Sequence, residues 1–344
     1  MPQIVIHGAG AIGCWIGGAW LAAGETVALL GRKSVQDEIA ANGLTLTDSS
    51  KRRIELRPDE VQVSINSKAL KRADIIALCV KSTGTAAAAK EIAKHGRKGA
   101  TVISFQNGVS NVETLKTALP GFTVLAGMVP FNVAGQGNGR WHKGVAGGLW
   151  AGDHEVTRAL AERIGDRTGR LTLSSDMTAV AWGKLLVNLN NAVNALSGKP
   201  LLEQLSDRDY RRVFAASQIE ALGVLQAAGI EPAKLGPFPP KLLPHIIGAP
   251  DWIFRRMVLK VQKIDADARS SMADDFAAGR PTEIDYLNGE VVKLAAKVGK
   301  PAPVNAAVVD LVRQAEAGVQ LAWSAKDLRA HILKGHRGAA GFGY

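Results

Sequence analysis

Cysteine is nearly missing from this chain: Cys14 and Cys79 are the only two in 344 residues. Two thiols cannot build a disulfide framework, and a reducing, cytoplasmic setting is expected. No Cys-x-x-Cys or His-x-x-x-His spacing occurs and the seven histidines are scattered, so no metal site is predicted. No apolar run approaches the roughly 18 residues a membrane span needs. The opening Met1-Pro2-Gln3-Ile4-Val5-Ile6 lacks the basic region and long apolar stretch of a secretory leader and reads directly as a strand. Aromatics are sparse at 5%, and no basic run is interleaved with them, which leaves no recognisable nucleic-acid module.

What is present fits a large globular protein. The length is about twice that of one typical domain, so two domains are expected. Hydrophobic residues at 47% and charged residues at 21% allow a sizeable core and exclude a disordered or fibrous chain. Ala is plentiful and Gly numbers 37, a bias that suits close helix-on-strand packing. The 42 Lys and Arg against 31 Asp and Glu leave a net charge of +11, which attracts anions without choosing among them.

The first half alternates short β-branched runs with Ala/Gly-rich helical stretches, as a parallel, doubly wound sheet requires. Strands are expected at 4–7, 26–30, 74–80, 101–105 and 123–127, with helices at 11–23, 85–95 and 111–119. Residues 43–57 read as a hairpin turning at Asp48-Ser49-Ser50, and the Gly-rich stretch 128–151 as a second antiparallel hairpin. A helix at 154–168 and a strand at 171–173 close the first domain. After Asp176, a predicted helix cap, the strand signal nearly vanishes. Helices are predicted from there through 196 and at 207–228, 257–278, 284–298 and 304–319. The fold class is therefore α/β: an N-terminal Rossmann-type doubly wound sheet at 1–175, then a mostly α-helical domain at 176–325, then a tail at 326–344, loose beyond 335.

Between the first strand and the first helix stands Gly8-Ala9-Gly10-Ala11-Ile12-Gly13, a G-x-G-x-x-G. The first glycine permits a tight turn, the second lets backbone approach a pyrophosphate, and the third lets helix and strand pack closely. The helix N-terminus behind them offers free N–H groups to the anion. A purely structural turn is the alternative, and the strand–turn–helix context favours a dinucleotide. NAD enzymes carry an acid after the second strand, about twenty residues on, for the ribose 2′-OH. Here that stretch reads Ala-Leu-Leu-Gly-Arg-Lys. Arg32 and Lys33 suit a 2′-phosphate instead, so NADP(H) is the expected cofactor; two solvated cations on a loop are the bland alternative.

Lys184, Asn188 and Asn191 recur at i, i+4 and i+7, one stripe of a helix. A lysine and amides on that stripe can bind a keto acid and donate a proton, or can simply form a solvated face. A second polar cluster combines Ser270-Ser271-Met272 with Thr282-Glu283-Ile284-Asp285-Tyr286-Leu287-Asn288-Gly289. There Glu283 also suits the first turn of a helix as a favourable charge.

The ordered set G-x-G-x-x-G, Lys81 after a strand, Gln106-Asn107-Gly108, Lys184-x-x-x-Asn188, Ser-Ser-Met with Thr-Glu-Ile-Asp-Tyr-x-Asn-Gly, and Pro301-x-Pro303-x-Asn305 resembles the ketopantoate reductase family over about residues 3–318. The resemblance implies NADPH-dependent reduction of 2-dehydropantoate to (R)-pantoate, on the route to pantothenate and coenzyme A. It implies Lys184 as general acid and Glu283 as the active-site carboxylate pairing with the lysine or substrate. Asn188 and Ser271 match substrate-binding positions, Asn107 and Lys81 positions beside the nicotinamide and cofactor. Where the family often has a second asparagine, eight residues after the lysine, this chain has Ala192, with Asn191 the nearest substitute. Val109-Ser110 and Ala302 also depart from the common pattern. The expected partner is a small-molecule 2-keto acid, with a homodimer expected and neither nucleic acid nor membrane. A related hydroxyacid dehydrogenase, acting on another 2-keto or 3-hydroxy acid, is the alternative enzyme. A non-catalytic NADP-binding regulator is the alternative outside enzymology, resting on the positive charge alone.

Overall fold

The computed structural model describes residues 1, 3–259, 268–319 and 322–334, and the chain divides into two compact units, Met1–Met177 and Thr178–Tyr344.

The first unit begins with β1 (Gln3–His7), α1 (Ala11–Ala22), β2 (Thr26–Leu30) and α2 (Lys33–Asn42). Then follow β3 (Leu44–Asp48), β4 (Arg53–Leu56), β5 (Gln62–Ser64), β6 (Ile75–Leu78), α3 (Thr85–His95), β7 (Thr101–Ser104) and α4 (Asn111–Ala118). It ends with β8 (Thr123–Met128), β9 (Val133–Gly137), β10 (Arg140–Lys143), β11 (Leu149–Gly152), α5 (Glu155–Ile164) and β12 (Leu171–Ser174). Eight strands form one sheet in the order β12-β11-β8-β7-β6-β1-β2-β5, parallel throughout except where β11 meets β8. Residues 4–6 of β1 are an apolar run because both faces are covered: Ile4 and Ile6 join one core, Val5 the other. Chain order reverses on either side of β1, which pairs with β2 and with β6. Open α/β sheets bind ligands outside the carboxyl ends of their strands at such a switch point.

The two hairpins do more than the sequence pattern conveys. β3 with β4 and β9 with β10 each pair antiparallel, and β10 runs parallel to β3, so the hairpins fuse into one four-stranded sheet. α1 packs against β1 and β2 of the large sheet and against β3, β9 and β10 of the small one. That explains a helix apolar on every side, with Trp15, Ile16, Ala19 and Trp20 all buried. The stretch 128–151 is thus a hairpin only in its middle: Gly137, Asn138 and Gly139, all at positive φ, turn β9 into β10, while β11 leaves to extend the main sheet.

The described residues of the second unit form helices joined by irregular segments, with no strand among them. It comprises α6 (Met177–Asn188), which starts on the last residue of the first unit, α7 (Asn190–Ser197), α8 (Leu201–Ser206), α9 (Arg208–Ala227) and α10 (Leu243–Ile247). Then come α11 (Asp251–Phe254), α12 (Ser271–Ala277), α13 (Asn288–Lys297), α14 (Pro303–Glu316) and α15 (Ala325–Leu333). Side-chain caps start three of them: Asp207 for α9, Ser270 for α12 and Ser324 for α15.

Three expectations need correction. The helix expected at 284–298 is a 3₁₀ turn, Ile284–Tyr286, and then α13, because Leu287 leaves helical geometry (φ −116°, ψ −97°). Of the helix expected at 257–278, residues 260–267 lie outside the described residues, and the described remainder is the end of a π-helical stretch, Arg255–Leu259, and then α12 after three irregular residues. The expected tail at 326–344 starts as α15 instead, with Leu328 and Ile332 buried and Arg329 on Asp209 at 2.9 Å; residues 335–344 lie outside the described residues.

Candidate active site

Each glycine of the opening turn has a separate physical reason. Gly8 sits at φ +107°, and a Cβ there would lie 2.6 Å from the Val80 nitrogen. A Cβ at Gly13 would lie 2.1 Å from the Gly8 carbonyl oxygen, so only glycine lets α1 settle onto the end of β1. At Gly10 a Cβ would meet nothing within 4 Å. Gly10 adopts extended geometry as the N-cap of α1, no side chain caps that helix, and its first turn carries no acid. The N–H groups of Ala11 and Ile12 fall in the first turn, where a helix has no partners of its own to give them. Open space over Gly10, before an uncapped helix start, fits a pyrophosphate. The residues present therefore fit a dinucleotide.

The same turn is tied to the end of β2. The Gly8 and Ala9 nitrogens both donate to the Leu30 carbonyl at 3.0 Å, and a Cβ on Gly31 would lie 2.6 Å from that of Ala9. Arg32 follows at once, exposed, and its guanidinium makes no hydrogen bond or ion pair among the described residues. Lys33 is different: its ammonium pairs with Asp37 one turn along α2. Of the two expected phosphate ligands, Arg32 is the one with its donors uncommitted.

The loops after β6 and β7 close the carboxyl edge of the sheet. Lys81 is exposed on the first and Asn107 half-buried on the second. They are joined by an uncharged network. Gln106 Nε2 donates to Thr85 Oγ1 at 2.8 Å and to the Val80 carbonyl at 3.1 Å. Asn111 Nδ2 donates to the Asn107 carbonyl at 2.6 Å and to Ser82 Oγ at 3.1 Å. Gly8, Arg32, Lys81 and Asn107 are thereby gathered on loops at the carboxyl ends of β1, β2, β6 and β7.

In the second unit, Lys184 lies on α6, which ends at Asn188; Leu189 keeps helical dihedrals and α7 resumes with Asn190. The lysine is partly buried, and burial pushes its ammonium down to about 8. Glu283 is itself buried, beside the 3₁₀ turn. Asn188 is buried and Asn191 half-buried. Ser271 is exposed at the start of α12, and its neighbour Ser270 carries the structure: Ser270 Oγ donates to the Asn191 carbonyl at 3.1 Å. The Ser270 nitrogen donates to Asn194 Oδ1 at 2.9 Å. Asn191 and the Ser-Ser segment are thus brought together.

Models of known families match along almost the whole chain: ketopantoate reductase PanE/ApbA over residues 4–155 and its C-terminal domain over 176–316. The chain belongs to the ketopantoate reductase PanE/ApbA family. It is 28% identical to the 2-dehydropantoate 2-reductase of Halobacterium salinarum, over 91% of this chain and 99% of that one. The enzyme of the same name from Pyrococcus abyssi is 29% identical, over 92% and 98%. Among solved structures, the PanE/ApbA family ketopantoate reductase of Ralstonia eutropha superposes with a TM-score of 0.78 at 29% identity, covering 92% of this chain and 99% of that one. A ternary structure of D-mandelate dehydrogenase shares the fold, with a TM-score of 0.75 at 18% identity and the same coverage. In this ketopantoate reductase family member, Asn111 and Asn194 are polar residues that the sequence motifs leave out, while Gln106 and Ser270 stand in those motifs without a role of their own. Asn111 and Asn194 carried no local signal, because side chains and backbone they meet, at Thr85, Ser82 and Ser270, are distant in sequence.

Proposed function

We propose that this chain reduces 2-dehydropantoate to (R)-pantoate with NADPH, taking up one proton per turnover. The observation that carries the reading is Lys184, a partly buried ammonium made a readier proton donor by its burial, in a chain whose opening turn keeps free space above Gly10. When bound, the reduced nicotinamide supplies the hydride for the carbonyl carbon of the keto acid. Lys184 stabilises the charge growing on the carbonyl oxygen and gives it a proton, becoming the neutral amine. A lysine near 8 is protonated at neutral pH, yet donates more readily than one at the ordinary value near 10.5. Asn188, Asn191 and Ser271 hold the keto acid, since amides and hydroxyls both donate and accept. Glu283 accepts from the substrate hydroxyl. Gly8, Ala9, Gly10, Ala11, Ile12 and Gly13 cradle the pyrophosphate, Arg32 holds the 2′-phosphate with Lys33 adding charge, and Lys81 and Asn107 contact the remainder of the cofactor. A homodimer belongs to the same proposal; the ketopantoate reductase of Staphylococcus aureus, of like fold (TM-score 0.69), is described as dimeric.

The test is NADPH oxidation across a panel of 2-keto acids. Ketopantoate is expected to give the highest kcat/KM. A higher value with another 2-keto acid would move the substrate assignment, and no oxidation with any of them would remove the reductase reading.

A further inference from the structure

We infer that Asn111 and Thr85 are positioning residues that fix Asn107 for the nicotinamide half of the cofactor, an inference resting on the reading of Asn107 just given. The Asn107 carbonyl accepts twice, from Asn111 Nδ2 at 2.6 Å and from Ser82 Oγ at 2.9 Å. Both of its lone pairs are then occupied, and the peptide that leads into Gly108 is held in one orientation. Gly108 at φ +86° reverses the chain directly behind it. With its carbonyl clamped and its successor in the left-handed region, Asn107 has little backbone freedom left, so the start of its side chain is fixed.

The backbone carbonyls that the clamp meets fix which way its amides turn. Asn111 must turn Nδ2 to the Asn107 carbonyl, because a carbonyl can only accept. That leaves Oδ1 to accept from Thr85 Oγ1 at 2.8 Å, a proton that the Thr85 hydroxyl shares with the Ser82 carbonyl, also at 2.8 Å. Thr85 Oγ1 in turn accepts from Gln106 Nε2, whose Oε1 accepts from Ser104 Oγ at 3.0 Å. Asn111 and Thr85 are both buried, at 3% exposure, so water does not replace a lost member. A buried network with every member satisfied specifies one geometry, and one wrong atom in it leaves a group unpaired. The network spans the loops after β6 and β7, so it sets Asn107 relative to the edge on which Lys81 lies. None of its five side chains is charged, and two isosteric changes break it without altering volume.

Those changes are Asn111→Asp, which puts an oxygen against the Asn107 carbonyl, and Thr85→Val, which removes the bridging hydroxyl. Thr85→Ser keeps the hydroxyl and is the rescue. Two binding readouts separate the halves of the cofactor: 2′,5′-ADP reports the glycine turn and Arg32, and NADPH reports the whole. Asn111→Asp and Thr85→Val are expected to bind 2′,5′-ADP within twofold of wild type, to bind NADPH at least tenfold more weakly, and to lose at least tenfold in kcat. Thr85→Ser is expected within threefold of wild type in all three. Unchanged 2′,5′-ADP binding also establishes that a variant has folded. NADPH affinity and kcat within twofold of wild type in both isosteric variants would overturn the inference while leaving the reductase reading intact. Equal loss of 2′,5′-ADP and NADPH binding would overturn it too, since the network would then be holding the unit as a whole. Wild type that fails to bind NADPH would remove the reading beneath it, and the inference with it.

Discussion

At the residue scale, Lys184 sets a pH dependence whose sign can be worked out. An acid that must be protonated works below its own value, and kcat/KM reports the free enzyme. With the ammonium near 8, kcat/KM for ketopantoate is expected to be flat below about pH 8 and to fall tenfold per unit above it. A profile flat to pH 10 would show that another group gives the proton. The same burial has a cost in stability. Below about 8 the amine is charged in the folded and unfolded chains alike, so the penalty of burying it is fully present. Between 8 and 10.5 the folded chain releases its proton first and the penalty fades. Lys184→Met, similar in length and uncharged, is therefore expected to lower kcat by about 100-fold or more while raising Tm at pH 7, with the gain shrinking toward pH 10. A variant less stable than wild type at pH 7 would contradict the burial argument. Arg32 and Lys33 divide in the same way. Arg32→Ala is expected to raise KM for NADPH about 10- to 100-fold with little change for NADH, the scale of charged hydrogen bonds to phosphate. Lys33→Ala, which loses mainly its contact with Asp37, is expected to change it by no more than a few-fold; equal effects would mean that the phosphate is held by charge alone.

At the scale of elements, the opening turn separates glycines that build the fold from one that leaves room for a ligand. Gly13→Ala would drive a Cβ to 2.1 Å from backbone oxygen, which neither α1 nor β1 can relieve, and a loss of more than about 3 kcal/mol in urea unfolding is expected. Gly10→Ala meets nothing within the chain, so Tm should stay within about 2 °C while NADPH affinity falls at least tenfold. If Gly10→Ala kept its affinity, the pyrophosphate would lie elsewhere. These assignments were readable in the sequence because strand, turn and helix are contiguous, and each constraint acts over a few residues. The doubly wound sheet was readable for the same reason, through its alternation of β-branched runs and Ala-rich helices. What depended on partners far along the chain was not. Nothing local in Leu44–Asp48 or Arg140–Lys143 announces that the two hairpins will pair, so the small sheet beyond α1 went unseen. The apolar outer face of α1, with Gly18 packed flush against Leu44, was its only trace. In the second unit, the stripe of Lys184, Asn188 and Asn191 was visible as periodicity. The tie from Ser270 to Asn194, across 76 positions, was not.

At the scale of the molecule, the net charge of +11 and the last helix each have a measurable consequence. α15 looks dispensable from composition, yet Leu328 and Ile332 are fully buried, and the Tyr210 hydroxyl donates to the Trp323 carbonyl at 2.6 Å just ahead of it. Burying two aliphatic side chains is worth about 3–6 kcal/mol, so ending the chain at residue 321 should cost at least about 3 kcal/mol of stability; a loss under 1 kcal/mol would show that α15 contributes little. The charge acts on encounter rather than on the fold. NADPH and a 2-keto acid are both anions, and a positive protein raises their local concentration until salt screens it over about 8 Å near physiological ionic strength. Accordingly, kcat/KM for both should fall several-fold between about 20 and 500 mM NaCl, while kcat, measured at saturation, stays nearly constant. The same titration on Arg32→Ala distinguishes local from global attraction. If the field of the whole molecule steers the cofactor, the variant keeps most of the salt slope for NADPH and shows only a raised KM. If the slope disappears with that one guanidinium, the remaining positive charge serves solubility, and recognition of the cofactor's anion is confined to the end of β2.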